Sequence, residues 1–238
     1  MNNFKDGDFM RFDSNIVAAE FIKRPNRFIA HVKLNEKEII AHVPNTGRCK
    51  ELLIEGVRVI LREGKTPGRK TPYDLISVFK GNTLINIDSQ APNKIVYEAL
   101  FNKKIEKLKE YDQINKEKKH GNSRFDFYLK NDFNEYYLEV KGVTLEEDGV
   151  VMFPDAPTKR GAKHLRELIE LKKNGIGAGV LFVVQLSGAK YFTPNKERDE
   201  EFSKALIEAN EVGVDIMAYE CIVKEDEVIL SNEIEVRL

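Results

Sequence analysis

Two carboxylates, Asp126 and Glu139, fall in adjacent runs that read as a β-hairpin. The runs are Arg124-Phe125-Asp126-Phe127-Tyr128-Leu129-Lys130 and Glu135-Tyr136-Tyr137-Leu138-Glu139-Val140-Lys141. With Asn131 to Asn134 as the loop, Lys130 pairs with Glu135, and Phe125, Phe127 and Leu129 face Val140, Leu138 and Tyr136 on one side. The other side pairs Arg124 with Lys141, Asp126 with Glu139 and Tyr128 with Tyr137. A slip of one residue would scatter the apolar set, so burial selects this register. Opposed residues have Cβ atoms about 4.5–5.5 Å apart, where like charges destabilise. A cation between the acids removes that cost. Two carboxylates with a backbone carbonyl such as that of Val140 suit a hard, oxygen-seeking ion, Mg²⁺ or Mn²⁺. Strand periodicity puts Lys141 on the same face, where its ammonium could steady an attacking water or a developing phosphorane charge. The alternative is a surface lattice in which Arg124 and Lys141 neutralise the two acids. At a cation site Asp126→Asn or Glu139→Gln is expected to leave stability nearly unchanged or slightly raised, because the like-charge pair is relieved. In the lattice the same change strips Arg124 or Lys141 of a partner at a cost of about 0–1 kcal/mol.

Other groups belong to the same chemistry. Thr158-Lys159-Arg160-Gly161-Ala162-Lys163-His164 opens a basic amphipathic helix, expected over 159–174, whose N-terminus favours anions such as phosphate. A solvated charged face is the other reading of Lys159, Arg160 and Lys163, and a structural role the other reading of His164. Glu98, in a helix expected over 93–102, is a third carboxylate that could complete a metal site, or a surface acid. There is neither a Gly-rich phosphate loop nor a nucleophile–base pair, which argues against a small-molecule enzyme.

These residues need elements to position them. Up to residue 88 the chain reads as short strands, at 15–22, 27–34, 38–43, 57–62 and 73–79, with a short helix at 48–54. Five strands with one helix between the third and fourth is the order of an OB-type barrel, a frequent single-strand binder. Between the last two strands lies a basic loop, Lys65-Thr66-Pro67-Gly68-Arg69-Lys70. Beyond Ala91-Pro92-Asn93 the order is helix, three strands, helix, strand, with further α and β additions. The three strands are a polar one within 111–120 and the two of the hairpin, followed by a loop through Gly149 and Pro154. A buried strand at 179–186, a helix at 197–211 and a strand at 214–223 complete the reading.

The 238 residues carry 38 Lys+Arg against 39 Asp+Glu, with 42% hydrophobic and 32% charged content. That composition excludes disordered and fibrous classes, and no apolar run reaches the length of a membrane span. Residues 1–88 carry a net +4 and the remainder −5. Met1 to Asp8 lacks an apolar core, so no secretory signal is expected. Cys49 and Cys221 lack metal-type spacing. Together these point to a reducing, cytoplasmic setting.

Asp126, then Glu139-Val140-Lys141, preceded by a helical Glu98, resembles the PD-(D/E)XK nuclease pattern, without the Pro that precedes the Asp. More specific are His42-Val43-Pro44-Asn45-Thr46-Gly47-Arg48, Ser123-Arg124-Phe125-Asp126, Glu139-Val140-Lys141-Gly142-Val143-Thr144-Leu145 and Phe153-Pro154-Asp155-Ala156-Pro157-Thr158-Lys159-Arg160-Gly161-Ala162-Lys163-His164-Leu165. These strings resemble the sugar fermentation stimulation protein family over nearly the whole chain. Cys49 and Phe125 stand where Met and Ile are expected, both apolar exchanges. The resemblance implies an α+β or α/β two-domain protein. An OB-like nucleic-acid-binding β-barrel over 1–88 would precede a restriction-endonuclease-like PD-(D/E)XK αβββαβ core over 89–238. It implies Asp126 and Glu139 as metal ligands, Lys141 as catalytic lysine and Glu98 as the helix carboxylate. Arg48, Arg69 and Lys70 would join Arg124, Lys159, Arg160, Lys163 and His164 on the nucleic-acid surface. Arg48 also reads as a helix-start ion pair, and Asn45-Thr46-Gly47 as a turn with an N-cap. DNA, single- or double-stranded, is the implied partner and no membrane is expected, with a homo-oligomer left open. Whether the protein is a Mg²⁺- or Mn²⁺-dependent nuclease or a non-catalytic regulator on a nuclease-derived scaffold stays open at this point.

Overall fold

A computed structural model describes residues 12, 14–66 and 68–238. The N-terminal stretch read for a secretory signal, and Pro67 of the basic loop, lie outside the described residues. The chain divides into two units. One is the chain up to Ala91 with Gln185–Ser187 and Cys221–Ile229, and the other is Pro92–Val184, Gly188–Glu220 and Leu230–Leu238.

The first unit contains β1 (Ile16–Asn26), β2 (Ile29–Leu34), β3 (Lys37–His42), β4 (Arg58–Glu63), β5 (Tyr73–Lys80) and β6 (Thr83–Asn86). β1 pairs antiparallel with both β2 and β4, and β3 meets β5 in parallel, so β1 to β5 close as an OB-like five-stranded barrel. β6 extends β5 and was not anticipated. The helix expected at 48–54 is absent. Cys49 takes a left-handed φ of +46°, and its carbonyl accepts from Leu52 and Leu53 in a turn instead. Arg24 of β1 explains the loop's shape, donating to the carbonyls of Asn45, Gly47 and Arg48 at 2.7–2.8 Å. Asn45 closes an Asx turn onto Gly47 N–H at 2.7 Å and donates to Ile87 O at 2.8 Å.

The barrel closes at Asp74, which pairs with His42 across the β3–β5 seam. It accepts from Arg69 through both guanidinium nitrogens at 2.5 and 3.2 Å, from Arg62 at 3.3 Å and from His42 at 2.9 Å. Burial pushes the Asp74 carboxyl up, but these donors outweigh it and hold it at about 2. Because the folded value lies below the unfolded one, this contribution is present above about pH 4 and is lost as pH falls through 2. Urea titrations of the barrel should show about 1–2 kcal/mol lost from this group between pH 4 and pH 2. Asp74→Asn should lack that segment of the profile. A variant with the wild-type profile would remove Asp74 from the closure.

The chain passes into the second unit along α1 (Ala91–Phe101), followed by a short 3-10 turn at Glu106–Leu108. Then come β7 (Gln113–His120), β8 (Ser123–Lys130), β9 (Glu135–Val143), β10 (Leu145–Glu147), β11 (Val150–Phe153), α2 (Lys159–Lys173) and β12 (Gly177–Val184). After these come β13 (Tyr191–Pro194), α3 (Glu200–Glu211), β14 (Asp215–Val223), β15 (Val228–Glu233) and β16 (Glu235–Val236). The segment read as a loop through Gly149 instead contributes β10 and β11 to a small sheet ordered β10-β11-β13-β16. The main sheet runs β15-β14-β12-β9-β8-β7, so α1, β7 to β9, α2 and β12 supply the αβββαβ core.

Three local features place the site on that core. Thr158 caps α2, its hydroxyl accepting from Gly161 N–H at 3.0 Å, and Ala162, Leu165, Leu168, Ile169 and Leu171 form its buried side. β9 is central, antiparallel to β8 and parallel to β12. Its Tyr136 lies across Gly177 and Gly179 of β12, where a Cβ would come within 2.5 and 2.1 Å of the Tyr136 side chain. The phenol donates to Asp215 at 2.9 Å. Glycine is required there by that close approach, which locks β9 against β12.

Candidate metal and nucleic-acid site

The hairpin register expected from alternation is present: Phe127 faces Leu138, Tyr128 faces Tyr137, Leu129 faces Tyr136 and Lys130 faces Glu135. The ladder then stops, and Asp126 does not pair backbone to backbone with Glu139. Instead, its side chain replaces the missing carbonyl, Oδ2 accepting from Val140 N–H at 2.8 Å. The two strands therefore open where the carboxylates sit. Phe125 also leaves the expected environment, with its ring edge-on to Tyr137 at 5.6 Å and tilted against His164 at 5.8 Å, whereas Phe127 stacks on Tyr97.

The side expected to be ionic and surface-like is largely covered at Glu139, which is 3% exposed. Its Oε1 accepts from Lys141 Nζ and, at 2.5 Å, from His164 Nδ1 on α2. Arg160 Nε donates to His164 Nε2 at 3.4 Å, which leaves Nδ1 as the ring nitrogen that meets Glu139. Glu139 Oε2 is buried with no hydrogen-bond partner among the described residues. Burial pushes the Glu139 carboxyl up, but the His164 bond and the Lys141 charge outweigh it and hold the group ionised. Asp126 moves the other way, raised first by burial and then by the charge of Glu139. Its Oδ1 accepts from Asn93 at 2.7 Å, from the first turn of α1.

A buried carboxylate oxygen with no donor is costly. It is also what a cation ligand requires, so the residues fit a hard divalent ion held by Glu139 Oε2 and Asp126. Glu98 lies on α1, and among the described residues no three His, Cys, Asp or Glu side chains gather into a metal-holding group.

The other sequence candidates have varied surroundings. His164 is 4% exposed and committed to Glu139, which removes it from a phosphate-facing surface. Arg69 is held by Asp74, so the barrel closure claims it. Arg124 is exposed and paired with Glu117 at 3.3 Å. Lys163 donates to Asn122 O at 3.2 Å, while Arg48, Lys70, Lys159 and Arg160 are exposed. The sequence reading missed Asn93, although Ala91-Pro92-Asn93 marked the start of its helix. It also missed the His164–Glu139 contact, since nothing local links residues 25 apart.

The family model described as "Sugar fermentation stimulation protein RE domain" matches residues 90–227, and the model "SfsA N-terminal OB domain" matches residues 22–87. A sugar fermentation stimulation protein homolog of Clostridium botulinum (strain Langeland / NCTC 10281 / Type F) is 60% identical over 230 residues, covering 96% of this chain and 100% of the relative. A homolog of Clostridium tetani (strain Massachusetts / E88) is 61% identical over the same length and coverage. The solved structure of Pyrococcus furiosus SfsA in complex with Ca²⁺ superposes with a TM-score of 0.86 at 28% identity, over 96% of this chain and 99% of that one.

Proposed function

Because the chain belongs to the sugar fermentation stimulation protein family, we propose that it is a cytoplasmic DNA-binding protein whose second domain carries a divalent-metal-dependent phosphodiester-hydrolysing site. The observation that carries this reading is Glu139 Oε2, buried and without a donor among the described residues, beside the half-buried carboxylate of Asp126. That the Pyrococcus furiosus relative was solved in complex with Ca²⁺ supports divalent-ion binding in this family, and Mg²⁺ or Mn²⁺ is the species proposed for these carboxylates. When bound, such an ion polarises a phosphoryl oxygen and lowers the pKa of its water.

The chain's own groups do the rest. His164 and Lys141 hold Glu139 by Oε1 and leave Oε2 free. Asn93 and Val140 N–H orient Asp126. Lys141 keeps a positive charge at the carboxylates, where it can balance charge developing on a phosphate. The proposed division of labour is nucleic-acid binding by residues 1–88 and the nuclease-like site in 89–238. Cys49 and Cys221, both buried and outside any disulfide, fit a reducing compartment.

A non-catalytic regulator is the second reading, favoured by the engagement of both Asp126 oxygens with protein donors. Incubation with single- and double-stranded DNA and RNA, in Mg²⁺, Mn²⁺ or EDTA, separates the two. Cleavage that needs the ion and stops in EDTA is expected. DNA binding without cleavage under any of these conditions would favour the regulator.

A further inference from the structure

We infer that the exposed edge of β7, together with Lys94 of α1, is a track for the phosphate backbone of the nucleic acid, delivering it to Asp126 and Glu139. This rests on the reading above and adds a surface to it. β7 is the outer strand of the main sheet, and its residues are almost all exposed. It carries Lys116, Lys118 and Lys119 within four residues. Lys116 pairs with Phe127 and Lys118 with Phe125, so the two lysines bracket Asp126 on the neighbouring strand. Lys94 follows Asn93, the residue that holds Asp126 Oδ1. Both arms of the cluster thus grow from positions that also place the carboxylate.

Among the described residues none of these four lysines has an ion-pair partner. Elsewhere in the unit lysines do pair, Lys103 with Asp112, Lys107 with Asp215 and Lys130 with Glu135. The one acid in the run, Glu117, takes a left-handed φ of +57° and pairs with Arg124 instead. Lys116 is seated over the Tyr97 ring at 3.4 Å, which fixes its ammonium and leaves N–H groups to donate. Burial and the charge of Lys94 both lower the pKa of Lys116, as expected where positive groups converge without an anion. Unneutralised neighbouring charges of one sign destabilise a fold. A polyanion removes that cost. The left-handed turn at Glu117 separates the Lys116 and Lys118 ammoniums, and Lys118 lies over the Tyr128 ring at 5.0 Å, so the edge presents charge from both faces of the sheet.

Edge lysines also protect a sheet from pairing with another chain. That role accounts for lysines along β7, but not for Lys94 from a different element or for the aromatic seat under Lys116.

The test uses the full chain in EDTA, so that binding is read without cleavage. Affinity for labelled duplex and single-stranded DNA is measured across salt for wild type, a Lys94→Gln/Lys116→Gln/Lys118→Gln/Lys119→Gln variant and the matching Lys→Arg variant. Each phosphate contact adds about 0.9 to the log–log salt slope on duplex and about 0.7 on single strands. The Gln variant should lose roughly two to four slope units and about 100-fold or more in low-salt affinity. The Arg variant should keep both. Single Lys116→Gln and Lys118→Gln variants, each losing about one unit, serve if circular dichroism shows the quadruple variant unfolded. A wild-type slope in the Gln variant overturns the track and leaves the DNA-binding reading standing. Self-association of that variant at an unchanged slope does the same, and assigns the lysines to edge protection. Failure of wild type to bind any nucleic acid overturns both.

Discussion

Glu139→Gln is expected to reduce divalent-cation affinity at least about 100-fold, abolish any cleavage, and lower stability by about 1–3 kcal/mol. Asp126→Asn should also lose the cation, yet gain up to about 1 kcal/mol, or roughly 2–4 °C in Tm. The signs differ because the surroundings differ. Glu139 is buried and is the acceptor for Lys141 and His164, so neutralising it leaves Lys141 without its counter-charge. It also puts an amide N–H where Oε2 has no acceptor. Asp126 is raised by burial and by Glu139, so losing its charge is a relief. Asn at 126 can still accept from Val140 N–H, and Asn93 can turn its amide to meet the new NH₂. The near-neutral outcome expected for both substitutions from strand alternation therefore holds only for Asp126. Calorimetry with Mn²⁺ and thermal unfolding in EDTA, on the same preparations, check both halves. Equal Mn²⁺ affinity in Glu139→Gln and wild type would remove the carboxylate from the site. No ion binding in wild type, with or without DNA, would leave the regulator reading ahead.

His164→Phe should lower cation affinity about 10–100-fold, the usual range for a group that orients a ligand, while His164→Asn retains most of it. Phe fills the space beside Phe125 but cannot donate to Glu139. Asn places its amide N–H near the position of Nδ1 and keeps the bond that holds Oε1. The contrast depends on Nδ1 being the ring nitrogen that faces Glu139, with Nε2 turned to Arg160. His164→Gln reaches toward the Nε2 position instead and should behave like Phe. Mn²⁺ affinity is compared with the Tm of each metal-free variant. If affinity is the same in all three while Tm falls, His164 serves packing alone.

Alternation alone determined much of this chain. A period of two, with apolar residues at Phe127, Leu129, Tyr136 and Leu138, permits one register, because a slip exposes every one of them. Asp126, Glu139 and Lys141 were legible as neighbours for the same reason, as were α2 from its 3.6-residue apolar stripe and the strand order of the barrel. What tertiary structure decided involves partners far apart in the chain. Local pattern carried no trace of Arg24 drawing residues 45–48 into a turn where a helix was expected, or of Asp74 claiming Arg69 from the basic loop. Nor did it show that α2 would bring His164 onto Glu139, or that Asp126 would replace a backbone carbonyl and open the sheet. Periodicity records which side of an element is buried. It does not record which group from another element arrives there, and the charge state of a buried carboxylate depends on that arrival.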